Sequence, residues 1–507
     1  MERREPNDSY RHVLKYTGVF GGVQGLKICV TLIRNKLTAR LLGEAGMGLN
    51  KRFINISDVL YAWTNFGLSF YSVQRISEIY EEGTEEQMNH FVRVIRTWGL
   101  WSALLGALLC FFLASTLNDY YIPGEPHRLE IMLLSLFVAS LSVEAVECAL
   151  LKGLRRLRTV ALIEVLSALS TFLFTIPLYF LLGMRGIVLS LVLCGWATAL
   201  LHLYFSTRIY PFRVHLLSFR IACEGWPLIR MGIPYVLAGV VAAMATGEVF
   251  KFLGDDRIIG LYSVGYGLMV TYAGMIFKAM DADFFPRLSS INHDTQRLNH
   301  AINQQIDVCV SLMAPFLIIF ILFMPWVVSL LYSGQFLPVV PMAVCAVFYM
   351  FFKAVTTPMA YTALAKGDSF TFLLVETIYN VVFVWLMMLG YSRMGLTGTG
   401  LALSASALFD LLLIGISYGI RYRVRLRLRT LTLIFPQAAL LTVSVLACLF
   451  GTSLLRYVVC LSCLLLSIWF SWKRITPELP VLEKLRHKIG GKTGANDLSE
   501  DYDKSER

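Results

Sequence analysis

Apolar stretches of about twenty residues follow one another along most of this chain, and that is the length a helix needs to cross a bilayer. A backbone in lipid must satisfy its own hydrogen bonds, so such stretches fold as helices or as strands of a closed barrel. Barrel strands alternate apolar and polar residues, and that alternation is missing here. An all-α integral membrane protein is therefore expected. Composition agrees: 16% of the 507 residues are charged, against about 25% in soluble domains. Roughly fourteen spans are predicted, at 18–42, 54–76, 98–118, 130–151, 159–182, 186–207, 228–252, 259–280, 306–331, 338–364, 371–390, 396–419, 431–450 and 453–472.

The chain also repeats itself at an offset of about 212 residues. Gly43 and Gly48-Leu49 after the first span match Gly254 and Gly260-Leu261 after the seventh. Arg75-Ile76-Ser77 matches Arg287-Leu288-Ser289, and Lys152-Gly153 matches Lys366-Gly367. Glu164 pairs with Glu376, and Gly186 to Ser190 with Gly400 to Ser404. Each match is weak alone, and their common order is the signal. It predicts a short N-terminal segment (1–17), a six-helix bundle (18–215), a second such bundle (216–425), two appended helices (426–475) and a disordered polar tail (476–507). Duplicated helix bundles are a habit of transporters, with the substrate near mid-membrane.

The net charge of +11 raises the question of nucleic acid, and its placement answers no. Alternating the spans from a cytoplasmic N-terminus puts most of the 45 lysines and arginines on the cytoplasmic side, including Arg75, Arg93, Arg96 and the run Arg421 to Arg429. The opposite side receives few, among them Lys51 and Arg52. By the positive-inside rule both termini are expected in the cytoplasm, and anionic lipid heads are the secondary partner of the basic segments. No cleavable signal peptide is evident in the polar start. Cys460 and Cys463 have metal or redox spacing, but with no second pair nearby they read as small packing residues. No cofactor or metal is expected.

Ionisable residues at membrane depth are costly, and they face protein or water. The first span carries Gln24, Lys27, Arg34, Lys36 and Arg40. Lys27 and Arg34 are seven apart and share a helix face, with Gln24 a turn before. They line a hydrated cationic cavity, or they form structural pairs with a glutamate. Lys36 and Arg40 either join that cavity or snorkel to the interface. Lys251 and Lys353 are further cavity candidates, although Lys251 stands three residues from Glu248 and pairing between them is the competing reading. Glu144 and Glu147 share a face of the fourth span. With Glu164, Glu248, Glu376 and Asp410 they are candidates for coupling to a proton or cation, or for structural anchoring.

These residues carry a resemblance. GGVQ at Gly21 to Gln24, RNK at Arg34 to Lys36 and LGEAGMGL at Leu42 to Leu49 resemble bacterial O-antigen and oligosaccharide-lipid translocases, of the multidrug, oligosaccharidyl-lipid and polysaccharide exporter superfamily. So do LGDDRIIGLY at Leu253 to Tyr262 and FPRL at Phe285 to Leu288. The resemblance implies two six-helix bundles around a V-shaped cavity, with two extra helices. It implies flipping of a polyprenyl-diphosphate-linked oligosaccharide, an O-antigen or surface polysaccharide unit, across the cytoplasmic membrane. A polysaccharide polymerase is the protein partner that such a role brings with it. A diphosphate headgroup suits Lys27 and Arg34, because cationic donors form charge-assisted bonds to phosphate oxygens. A peptidoglycan-precursor flippase shares that logic. A cation-drug antiporter would want acidic cavity residues instead. A membrane-embedded polysaccharide enzyme would need catalytic groups on a substantial loop, and the outside loops are short. No GxxxxGK[ST] nucleotide loop is present.

Overall fold

Helix is the dominant conformation, and no strand occurs among the described residues. The computed structural model describes residues 6–124, 126–214, 219–274, 284 and 287–475. Side chains are described within these except at 6–26, 28, 69–70, 219–223, 227–228, 231, 271–273 and 475. The helices are α1 (Pro6–Thr64), α2 (Leu68–Glu82), α3 (Glu85–Phe112), α4 (Ala114–Tyr121) and α5 (Arg128–Gly153). There follow α6 (Leu157–Leu182), α7 (Gly186–Thr207), α8 (Phe219–Leu253) and α9 (Asp256–Gly267), the last running into a π-helical turn over Leu268–Ala273. After these come α10 (Thr295–Leu322), α11 (Met324–Leu331), α12 (Val339–Cys345) and α13 (Val347–Ala365). The series ends with α14 (Ser369–Tyr422), α15 (Leu428–Phe450) and α16 (Ser453–Ile475).

Nine helical stretches among the described residues are long and apolar enough to cross a membrane. Two of them, Leu157–Thr207 and Ser369–Tyr422, hold 51 and 54 residues, enough for two passes each at about 1.5 Å per residue. The tail beyond 475, the side chain of Gln24, and Lys278, Asp281 and Asp283, which the sequence groups at the inner end of the expected eighth span, lie outside the described residues.

The expected loop between the first two spans is absent. Helix α1 turns at a single residue, Gly43 (φ 66°, ψ −168°), and continues as helix to Thr64. That backbone region is essentially closed to any residue with a Cβ. One glycine thus replaces a loop, and it moves Lys51 and Arg52 from the expected outside segment into a helix. Helix α14 breaks in the same way at Gly395 (φ 56°, ψ −140°). Both breaks are echoed in the repeat: Gly254, the partner of Gly43, has φ 72°, and Gly183, about 212 residues before Gly395, has φ 57°. The expected second span, 54–76, is interrupted at Phe66 and Gly67, both with positive φ, where the Asn65 side chain accepts from the Gly67 amide at 2.7 Å.

Two compact units organise the chain. Unit 1 comprises Met1–Leu268, Met324–Ala346 and Gly367–Phe409; unit 2 comprises Met269–Phe323, Val347–Lys366 and Asp410–Arg507. The main core of unit 1 packs Phe53, Ile56 and Leu60 of α1 against Ile131, Leu134 and Val138 of α5 and Ile187 and Val188 of α7. Within this unit the repeat closes on itself. A Cβ on Gly48 would stand 1.8 Å from the carbonyl oxygen of Asp256, and a Cβ on Gly260 would stand 1.9 Å from that of Glu44. Glu44 and Asp256 are related by the same offset as the two glycines, so α1 and α9 meet across a reciprocal, pseudo-symmetric seam. Arg52, 4% exposed, fastens it by donating to Asp256 and to the carbonyls of Tyr121 and Gly254, while Arg257 pairs with Glu44. Gly48→Ala is expected to cost roughly 1–3 kcal/mol, the usual scale of overpacking. Thermal unfolding of the detergent-solubilised protein reads this directly, and an unchanged midpoint would remove the seam from the account.

In unit 2 the basic segment between Tyr422 and Leu428 is extended and tied down. Asn299 donates to the Arg423 carbonyl (2.9 Å) and accepts from the Arg425 amide (2.7 Å); Asn303 does the same for the Arg425 carbonyl (2.9 Å) and the Arg427 amide (2.8 Å). Both asparagines sit on α10 one turn apart, which matches the two-residue period of an extended strand. The last two helices, expected as an appendage, are bound into this unit. Arg474 of α16 donates to Asp307 of α10 at 2.6 and 3.1 Å, and the fully buried Gln437 of α15 donates to the Ser467 carbonyl and the Ser471 hydroxyl, both at 3.0 Å.

Candidate functional site

A collection of membrane-depth charge lies in unit 1, on α1, α5, α6 and α7. Lys27 of α1 donates to Glu164 of α6 at 2.7 Å. The two are about equally open, at 36% and 39% exposure. Arg34, two turns on, directs Nε and Nη2 to the side chain of Asn35 at 3.3 and 2.9 Å, and it stands within electrostatic reach of Lys51, Tyr179 and Cys194. Beyond the Gly43 break, Lys51, Asp58 and Tyr61 recur at helical spacing, and Lys51 is in reach of both Asp58 and Arg34. The Gly43 turn thus places two cations distant in the expected topology, Arg34 and Lys51, in one neighbourhood.

Glu144, Cys148 and Lys152 of α5 are four residues apart, so they stack on one face. With Tyr61, Val73 and Leu141 they line a cavity of about 250 Å³. Cys148 feels both Glu144 and Glu164, and His202 of α7 feels Lys152 and Glu164, so cavity and ion pair form one electrostatic neighbourhood. Glu147 is in electrostatic reach of His202 too, but it does not line the cavity. Although three residues from Glu144, it turns to α3 and is 2% exposed. Both its oxygens are held by the Arg96 fork at 2.8 and 2.9 Å. Arg96 also donates to the carbonyls of Tyr210 and Pro211, at 3.0 and 2.9 Å. The residue counted among cytoplasmic charges is therefore buried, and it ties α3, α5 and the segment after α7 together.

Glu248 and Lys251 do not take each other. Both engage Tyr120 of α4: its hydroxyl donates to Glu248, and the Lys251 ammonium stands 3.6 Å from its ring centroid. The bond to Glu248, reinforced by burial, pushes the Tyr120 hydroxyl up to about 12, so it remains a donor across the physiological range. In unit 2, Lys353 and Asp410, expected in separate roles, form one ion pair at 2.7 Å. Glu376 is half-buried, and its carbonyl accepts from Asn380 at 2.8 Å. Lys36 is half-buried and Arg40 exposed, neither with an ion-pair partner among the described residues. Cys460 lies with its sulfur 3.7 Å from Cys448.

Spacing alone missed Lys51, Asp58, Lys152, Arg52 and Arg96. Lys152 was legible in part, since it lies four residues from Cys148 and eight from Glu144. For Arg52 the signal was the repeat itself, which matches its segment to the one holding Asp256.

The fold has known counterparts. A lipid II flippase, MurJ, in an inward closed conformation is similar at TM-score 0.65 and 14% identity, over 90% of this chain and 99% of that one. An inward-facing multidrug resistance MATE family transporter of the MOP superfamily is similar at TM-score 0.62 and 12% identity, over 79% and 97%. A MOP superfamily transporter from Pyrococcus furiosus gives 0.56 and 14%, over 80% and 93%. No curated protein sequence matches the chain. At these identities the likeness is one of fold. The model of the family described as polysaccharide biosynthesis protein matches residues 37–341, more than half of the chain. This multi-pass helical membrane protein, with the fold of the MOP superfamily, therefore belongs to the polysaccharide biosynthesis protein family.

Proposed function

We propose that the protein is a transporter, not an enzyme, that flips a polyprenyl-diphosphate-linked oligosaccharide from the inner to the outer leaflet of a bacterial cytoplasmic membrane by alternating access. The observation that carries this reading is the group Lys27, Arg34, Lys51 and Lys152 in one membrane-embedded unit, beside an open cavity. A diphosphate is small, anionic and strongly hydrated. Leaving water for the membrane interior requires donors that replace its hydration, and ammonium and guanidinium groups form the strong, charge-assisted kind. The polyprenyl tail needs no such site and stays in lipid. Both termini lie in the cytoplasm in this reading, as the excess of basic residues there demands. Glu144, on the cavity wall, is one of the carboxylates placed to couple transport to a proton or cation.

The family supports polysaccharide export, with an O-antigen or similar surface unit as cargo. The fold likeness to a lipid II flippase favours a second reading, in which the cargo is the peptidoglycan precursor. Proteoliposomes loaded with fluorescent lipid-linked saccharides of both kinds separate them. Addition of a membrane-impermeant quencher reports how much cargo has crossed. Faster crossing of the diphosphate-linked oligosaccharide than of the peptidoglycan precursor is the expected result. The reverse order would install the second reading, and no crossing of either would sink both.

A further inference from the structure

Four of the ion pairs among the described residues, each between two long helices of one unit, differ sharply in how open they are. Arg96–Glu147 is shut, with exposures of 1% and 2%. Arg474–Asp307 is nearly so at 13% and 9%, and Lys353–Asp410 keeps its carboxylate covered at 24% and 6%. Lys27–Glu164 stands apart, at 36% and 39%. It also differs in form. Arg96 grips Glu147 with two parallel bonds, whereas Lys27 meets Glu164 through one contact of 2.7 Å to Oε2. A lysine is a point charge with rotatable donors, and it exchanges partners more readily than a fork does. An open, single-contact pair beside an anion site is poised for replacement of its carboxylate by another anion.

We propose that Glu164 is a resident counter-anion: it occupies Lys27 while the site is empty, yields Lys27 to the phosphate of the lipid-linked substrate, and takes up a proton as it does so. This rests on the reading of Lys27 as a phosphate contact. The ionisable groups in the neighbourhood of Glu164 are Lys27 on α1, Glu144, Glu147, Cys148 and Lys152 on α5, and His202 on α7; Glu147 is already neutralised by Arg96, and Arg158 stands six residues earlier on the same helix as Glu164. In the empty site the two lysines balance the two glutamates. An arriving diphosphate tips that balance toward excess negative charge, and like charges at short range favour the protonated carboxyl. One proton on Glu164 offsets part of that excess. Glu164 thereby limits how tightly Lys27 holds the cargo, because it competes for the ammonium again when the cargo leaves. Binding and proton uptake are then linked, so affinity rises as pH falls.

The test uses the full chain in lipid nanodiscs, titrated with farnesyl diphosphate and, as the headgroup alone, inorganic pyrophosphate. At pH 8, Glu164→Gln binds each probe about three- to tenfold tighter than the unaltered protein, the scale set by an exposed pair and by one pKa unit. At pH 6 the two converge. Their ratio cancels the protonation of the probe itself. Glu164→Asp keeps the competitor and with it the dependence of affinity on pH. Calorimetry of the unaltered protein in two buffers of different ionisation enthalpy supplies a second measurement that needs no variant. Binding to cations alone strips protons from a diphosphate, so net proton uptake has the opposite sign and identifies the carboxylate. A ratio that does not change with pH or a weaker-binding but folded Glu164→Gln would each overturn the inference and leave the phosphate reading of Lys27 in place. Absence of binding in both proteins would instead overturn that reading, and the inference with it.

Discussion

Arg34→Ala is expected to abolish translocation of the lipid-linked cargo while leaving the protein folded and at normal abundance in the membrane. Arg34 has no carboxylate partner among the described residues; its recorded bonds go to the amide of its neighbour Asn35. Its removal therefore strands no buried acid and costs little structure. It does remove a guanidinium from a neighbourhood it shares with the cation of Lys51. Truncating a desolvated charge that meets a charged ligand costs about 2–5 kcal/mol, a loss of at least roughly thirtyfold in affinity. Arg34→Lys should recover part of this, because charge survives and the planar fork does not. The quench assay on proteoliposomes reads both. Wild-type translocation by Arg34→Ala would dismiss the cationic mechanism at its central residue.

The opposite outcome is expected at Arg96. Arg96→Ala leaves Glu147 charged at 2% exposure, and breaking a buried pair from one side costs about 3–5 kcal/mol. Two backbone carbonyls, of Tyr210 and Pro211, lose their donor as well. The variant should unfold at a markedly lower temperature and be depleted from the membrane before any transport is measured. Replacing both partners together, Arg96→Met with Glu147→Met, should recover most of the lost stability, since no charge is then left unpaired. If the double variant is as unstable as the single one, the carbonyl bonds, and not the ion pair, hold this corner.

The contrast between these two arginines marks where the sequence was legible. Helix length and the membrane environment follow from apolar runs, which is why the predicted 186–207 coincides with α7 and the predicted 159–182 lies within two residues of α6. The repeat was legible too, and it marked the glycine breaks at Gly43 and Gly254. Partner choice was not. Glu147 and Arg96 lie 51 residues apart, and Lys27 and Glu164 lie 137 apart, so helical spacing says nothing about either meeting. The expected loop at 43–53 failed for a local reason: a single glycine with positive φ reverses direction in one residue, so a polar stretch there need not leave the helix. That error hid Lys51 from the site. Glu144 and Glu147 were grouped by their spacing, yet the packing of α3 against α5 takes one and leaves the other facing the cavity.

The bond between Asp307 and Arg474 spans 167 residues, and this has a consequence for biogenesis. Ribosomes add roughly 5–20 residues per second. Helix α10 therefore reaches the insertion machinery on the order of ten to thirty seconds before the arginine that will pair with its aspartate has been made. During that interval a helix whose first half is polar and contains Asp307 must wait at the translocation channel or sit poorly settled in lipid. A ribosome that stalls or terminates early in α16 leaves a chain without this pair. The partner of Asp307 is thus supplied by the final turn of the last described helix, made long after α10.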